Sequence, residues 1–156
     1  MRRTLVLGLE NDLLGDDGVG LRIVEELKRR PALARFDFEA APTASLALLD
    51  ILHGYERAYI VDSAVTGQRR PGYLHRLLAS SLTDLPLNRS SHYAGLPEVL
   101  ALAEALGLGL PHHIEVLGVG VKDPNTTRPG LSPQLEAKLP TLVARVERLL
   151  LEGRDA

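Results

Sequence analysis

The chain has no cysteine and no tryptophan, one methionine, two phenylalanines and four tyrosines. Without cysteine there is no disulfide, no thiolate nucleophile and no cysteine metal ligand. Charge of one sign is also missing. Eighteen Lys and Arg against twenty Asp and Glu leave a net charge of −2, so nothing in bulk draws the chain to nucleic acid or to an anionic membrane. Lysine itself is scarce, found only at Lys28, Lys122 and Lys138. No apolar run is long enough to cross a bilayer. The opening "MRRTLVLGLEND" carries a basic pair, but its apolar stretch is too short for a secretory signal and runs straight into acids. The expectation is a cytoplasmic protein, acting as a monomer, with neither a nucleic-acid nor a membrane partner.

What is present fits one domain over residues 1–156, with 45% hydrophobic and 24% charged residues. Strand and helix patterns alternate. "TLVLGL" (4–9) reads as a buried strand, and Val19, Ile23, Val24 and Leu27 have helical spacing. "FDFEAA" (36–41) alternates like a strand, and "TASLALLDILHGY" reads as a helix capped by Thr43. "RAYIVDSAV" (57–65) and "HIEVLGVGV" (113–121) read as buried strands, with a weaker one at "GYLHRLLA" (72–79). "GLPEVLALAEALG" is a helix closed by Gly107. Ser132 and Pro133 open a last helix to about Leu151, bent at Pro140. This order predicts an α/β three-layer sandwich: a twisted, mostly parallel five-stranded sheet with helices on both faces. The strand at 72–79 follows its predecessor with no helix between, so it is expected to be antiparallel and at an edge. Residues 80–94 and 122–133 show no regular pattern, and long loops in compact domains are often functional.

Open α/β sheets bind ligands at the carboxyl ends of their strands. The first strand runs into Glu10, Asn11, Asp12, Asp16 and Asp17, and the third ends at Asp62 and Ser63. Ser90, Ser91, His92 and Tyr93 precede the third helix, and Lys122, Asp123, Asn125 and Thr126 follow the last strand. Carboxylates and an imidazole are thus expected on one rim. Gly15, Gly18 and Gly20 are spaced G-x-x-G-x-G, which is not the dinucleotide fingerprint, and the acids beside them would repel a pyrophosphate. A cation suits them better. Two carboxylates and an imidazole form a borderline-hard set for a divalent transition metal, and Asp17, Asp62 and His92 can supply it. One of Asp16 and Asp17 is expected to cap the first helix, and the pattern does not choose between them. Asp62 also reads as an ordinary turn acid at a strand end. His53, His75, His112 and His113 read as surface or structural. Serine hydrolysis is a rival, since Ser63, Ser90 and Ser91 are available, but no G-x-S-x-G elbow is present.

"LGLENDLLGDDGVGLRIVEEL" resembles the opening of the hydrogenase maturation endopeptidases, which process the large subunit of nickel–iron hydrogenases. Asn11, Leu13, Asp16, Asp17 and Gly20 match that family's first turn. "AYIVDSAV" resembles its second acidic block, "SSHYAGLPEVLALA" its histidine block, and "VLGVGVKDP" with "GLSP" its last strand and helix start. The blocks come in the family's order over nearly the whole chain.

The resemblance implies an aspartic-type endopeptidase that activates a hydrogenase by removing a C-terminal extension from its large-subunit precursor. It assigns Asp17, Asp62 and His92 as catalytic, metal-contacting residues and leaves Asp16 to support the turn. It also implies that nickel is carried by the precursor rather than held by the free enzyme. Glu10 stands where the family usually has a glycine, and "AAPTAS" (40–45) where it often has a glycine pair. These departures keep open an alternative, a non-catalytic nickel-handling module.

Overall fold

The computed structural model describes residues 3–10, 15–42, 47–65, 72–78, 96–121 and 130–153. Its strands are β1 (Thr4–Glu10), β2 (Asp37–Pro42), β3 (Arg57–Val65), β4 (Leu74–Leu78) and β5 (His113–Val121). Its helices are α1 (Val19–Lys28), α2 (Ala47–Leu52), α3 (Leu96–Ala105) and α4 (Pro133–Gly153). One sheet holds all five strands in the order β2-β1-β3-β5-β4. Every neighbouring pair is parallel except β4 with β5. The expected antiparallel edge strand is therefore β4.

Both faces of the sheet are covered, which is why its strands read as apolar runs rather than alternating ones. One face presents Val6, Tyr59, Val61, Leu117 and Val119 to α1 and α4, including the fully buried Ile23, Leu27, Leu135 and Val146. The other presents Leu5, Leu7, Leu9, Ile60 and Val116 to Leu48 and Leu52 of α2, with Leu100 of α3 packed at the margin. Alternation along each strand decides the face, so neighbouring residues look to opposite layers.

Several boundaries differ from the sequence reading. A short 3-10 turn at Pro31–Leu33 intervenes between α1 and β2, started by a proline in its first turn. Thr43, the expected cap of α2, lies outside the described residues. Ser132 does cap α4: its hydroxyl accepts the Leu135 N–H at 3.4 Å, and its carbonyl accepts the Glu136 N–H at 2.9 Å. The helix stays one element through Pro140, which is exposed, so the missing N–H falls on the wet side. At the end of α3 the Leu108 N–H reaches back to the Ala103 carbonyl at 3.0 Å, closing the helix around Gly107.

Candidate active site

The strand order reverses between β1 and β3. The crossover from β1 leads outward to β2, and the chain then returns past β1 to β3 and onward to the far side. Such a switch point opens a crevice at the carboxyl ends of the strands. Here the crevice has a definite start. β1 and β3 pair up to Gly8 with Val61, and no further. β1 then stays with β2 to Glu10, while β3 stays with β5 to Val65. Asp62 is the first residue of β3 past the point where the two strands part.

Asp62 is completely buried. β3 continues to Val65, so it is a residue within the strand rather than a turn acid beyond its end. Its Oδ1 accepts the backbone N–H of Ser63 at 2.7 Å. An ionised carboxylate taken out of water is costly unless donors or a cation compensate it. A buried acid at a switch point is therefore a functional candidate in a way that an exposed strand-end acid is not.

The turn after β1 reaches this place through two glycines. Gly15, at φ +65°, opens a 3-10 turn over Gly15–Gly18, a conformation that a side chain would strain. Gly20 lies in the first turn of α1, directly against β3. A Cβ there would stand 2.4 Å from the Val61 carbonyl oxygen and 3.0 Å from the Asp62 Cα. The backbone of the turn that carries Asp16 and Asp17 is thus pressed against the strand that carries Asp62.

Neither of the paired acids takes the N-cap position of α1. The 3-10 turn is interposed, and Gly18 occupies that position. Asp16 turns away from α1 and is buried, its Oδ1 accepting the Ser132 N–H at 2.6 Å. It ties the turn after β1 to the start of α4, and its charge faces the positive end of that helix. Removing the acceptor would leave that N–H without it. Asp16→Ala is expected to lower stability by about 1–3 kcal/mol, with Asp16→Asn losing less because it keeps an oxygen. Urea unfolding checks this, and an unchanged midpoint for the alanine variant would contradict it.

Of the predicted trio, Asp62 is placed in full. Asp17 is placed by its backbone in the turn, and its side chain lies outside the described residues, as does all of His92. α3 packs with α2 over the face onto which Asp62 projects. Among the described residues no three metal-ligating side chains gather. The stretches 80–94 and 122–129, with Ser90, Ser91, Tyr93, Asn125 and Arg128, also lie outside them. Glu10 occupies an ordinary strand position opposite Pro42, a conformation open to any side chain. Ser63 is buried, and by alternation it faces the layer opposite to that of Asp62, which disfavours it as an exposed nucleophile.

Among the described residues the sheet holds a second buried acid, Glu115, which serves structure. It lies near the amino end of β5, far from the crevice, where Arg76 Nε donates to its Oε1 at 2.9 Å. His113 lies beside it, edge-on to Tyr59, whose phenol is pushed up by burial. His113 is thus structural, as the sequence suggested. His75 is different. The sequence reading set it aside, yet its Nε2 is buried and its register places it on the line of Asp62. No local signal marks this, because it depends on how β4 aligns with β5.

Comparison with known proteins agrees with this fold. The family model described as HycI, hydrogenase maturation protease, matches residues 21–149. The hydrogenase 2 maturation protease of Escherichia coli K12 is 32% identical over 97% of this chain and 92% of its own length. Among solved structures, the hydrogenase maturating endopeptidase HybD from E. coli superposes with a TM-score of 0.77 at 30% identity, covering 97% of this chain and 93% of that one. The [NiFe] hydrogenase maturation protease HybD from Thermococcus kodakarensis superposes with a TM-score of 0.71 at 26% identity, covering 94% of this chain and 98% of that one. With a family model spanning most of the chain and a relative matched nearly end to end, this chain belongs to the hydrogenase maturation protease family.

Proposed function

We propose that this protein is the endopeptidase that removes a C-terminal extension from the nickel-loaded large-subunit precursor of a nickel–iron hydrogenase. The observation that carries the reading is Asp62, a completely buried carboxylate at the switch point, with the Asp17 turn packed onto its strand.

In this reading the nickel is part of the substrate. Asp17, Asp62 and His92 are the protein's share of its shell, and the precursor brings the metal and the remaining ligands. An acid–acid–imidazole set suits a borderline divalent cation and leaves positions open. Because the free site is an incomplete shell, productive docking waits until the metal has been inserted. The site thereby rejects a metal-free precursor, which brings no cation to its carboxylates. Once docked, the scissile peptide lies beside a cation able to polarise its carbonyl or an attacking water, with a carboxylate as proton acceptor. The enzyme works in the cytoplasm as a monomer, and the loops at 80–94 and 122–133 form the lips that receive the precursor.

Incubating the protein with nickel-loaded and nickel-free precursor tests the proposal, with chain length read by mass spectrometry. Shortening of the loaded form alone is expected. Binding without shortening of either form would replace the peptidase with a nickel-handling module, and equal shortening of both would remove nickel as the gate.

A further inference from the structure

The helices do not treat their outer sides alike. α1 and α4 bury one apolar side and turn charge of both signs to solvent, with Glu25 and Lys28 exposed on the first and Glu136 and Arg145 on the second. α3 does not. On its inner side Leu100 packs toward the core and Ala103 is fully buried. On its outer side Ala101, Leu102 and Ala105 are exposed and share one helical stripe. Leu106, whose N–H still bonds the Leu102 carbonyl at 3.0 Å, continues that stripe past the end of the helix. Leu102 is 42% exposed, Leu106 64% and the nearby Leu108 42%. These are three of the five large apolar side chains exposed among the described residues. A helix apolar on every side is ordinarily covered on every side, and clustered exposed apolar groups mark a contact surface.

The charge of this layer has one sign. Residues 47–56 and 96–112 contain Asp50, Glu56, Glu98 and Glu104 and no lysine or arginine. Asp50, Glu98 and Glu104 are exposed. A second copy packed here would set the stripe on its own image, and the two-fold axis would bring acids against acids with no Lys or Arg to pair them. The stripe fits instead a surface that is apolar at its centre and carries Lys or Arg at its rim. Its position says where that surface comes from. Asp62 lies two residues beyond Ile60, which belongs to the core under α2 and α3, so α3 covers the side of the sheet onto which Asp62 projects. β5 starts at the amino end of the parallel strands, so α3, which precedes it, runs down from the carboxyl rim for about 15 Å. The stripe is the outer wall of the protein on the Asp62 side.

We propose that the outer side of α3 is a docking surface for the folded body of the hydrogenase precursor, which meets it with an apolar patch edged by Lys and Arg. The precursor's tail reaches Asp62 with that body attached, and a body seated over the rim on this side lies along α3. A crevice that takes one extended segment buries little, whereas specific complexes bury about 800 Å² on each partner. The stripe supplies the remainder, away from the reacting atoms. Contacts of that kind hold substrate and transition state alike, so they lower KM and leave kcat alone. The acids beside it act mainly on encounter rate and orientation. The identity of the partner rests on the peptidase reading; the exposed apolar stripe does not.

The test uses the full chain and the nickel-loaded large-subunit precursor. The double variant Leu102→Glu with Leu106→Glu is expected to raise KM about tenfold or more with kcat unchanged. Glu104→Lys is expected to raise KM less and to weaken its dependence on salt. Ala144→Glu, which puts a like charge on the exposed side of α4, is expected to match wild type. A wild-type KM for the double variant, or a fall in kcat at unchanged KM, would overturn the proposal. So would a wild-type dimer in sedimentation that the double variant dissolves, since the occupant would then be a second copy. A double variant that melts early while Glu104→Lys leaves KM unchanged would also overturn it, because the chain itself would then cover the stripe. Should wild-type protein bind nickel-loaded precursor without shortening it, the peptidase reading falls, and calorimetric titration of the same variants with that precursor still decides the docking.

Discussion

Asp62→Asn is expected to stop precursor shortening while leaving the protein folded. The fall in kcat/KM should exceed the roughly 10–100-fold typical of an outer partner, because this carboxylate is assigned to the substrate's metal directly. Stability should change by no more than about 1 kcal/mol, since the isostere fills the same space and keeps an oxygen for the Ser63 N–H. The two readouts are meant to diverge. Asp62 is completely buried in a central strand, and a structural acid at such a place would be lost at the expense of the fold. An acid kept there for function costs stability in its own right, so its neutral counterpart folds as well or better. Cleavage assays beside urea unfolding separate the cases. A variant that cleaves normally would remove Asp62 from the site, and one that unfolds would make it structural.

Gly20→Ala is the second large effect, and it comes from contact rather than charge. The added Cβ would lie 2.4 Å from the Val61 oxygen, 2.9 Å from the Val61 carbonyl carbon and 3.0 Å from the Asp62 Cα. All three are main-chain atoms of a central strand, so no side chain can swing aside and α1 must withdraw. Overpacking of this kind costs about 1–3 kcal/mol. It also lifts the turn that bears Asp17 away from Asp62, and a misplacement of about 1 Å at a reacting centre costs on the order of a hundredfold in rate. Gly18→Ala, two residues earlier, is the control. A Cβ there meets nothing within 4 Å, and its φ of −83° suits any residue. Its urea midpoint and cleavage rate should stay close to wild type. Equal behaviour of the two variants would show that the close approach at Gly20 does not matter.

Much of the architecture was legible in the chain because it is local. The apolar runs at 4–9, 57–65 and 113–121 are buried on both faces and contain few polar residues, so they could be told from helices by length and flanking glycines. The absence of a helix between β3 and β4 was enough to make β4 antiparallel, since a parallel return needs a crossover. The acid at 62 was legible as a residue at the rim. Its complete burial was not, because burial depends on what α2, α3 and the turn after β1 place over it.

The paired acids show the same boundary. Two adjacent aspartates before a helix read as cap candidates, and resemblance to the family gave Asp16 the supporting role. That role has a partner 116 residues away, the Ser132 N–H. Helix propensity and capping rules act over a turn or two, so they carry no information about such a partner. His75 was set aside for a like reason. Its strand was recognisable, but the register of β4 on β5 is a choice among alignments two residues apart, all with the same alternation.

By itself, then, the sequence determined the order of elements and the mostly parallel sheet with one reversed edge, because periodicity, turn residues and connection length act locally. The tertiary structure alone decided that β1 and β3 part at Asp62, that Asp16 reaches α4, and that Asp62, Gly118 and His75 form one row. Those relations follow from strand order and register, which are set by the packing of distant segments against a shared core and leave no mark on the spacing of neighbouring residues.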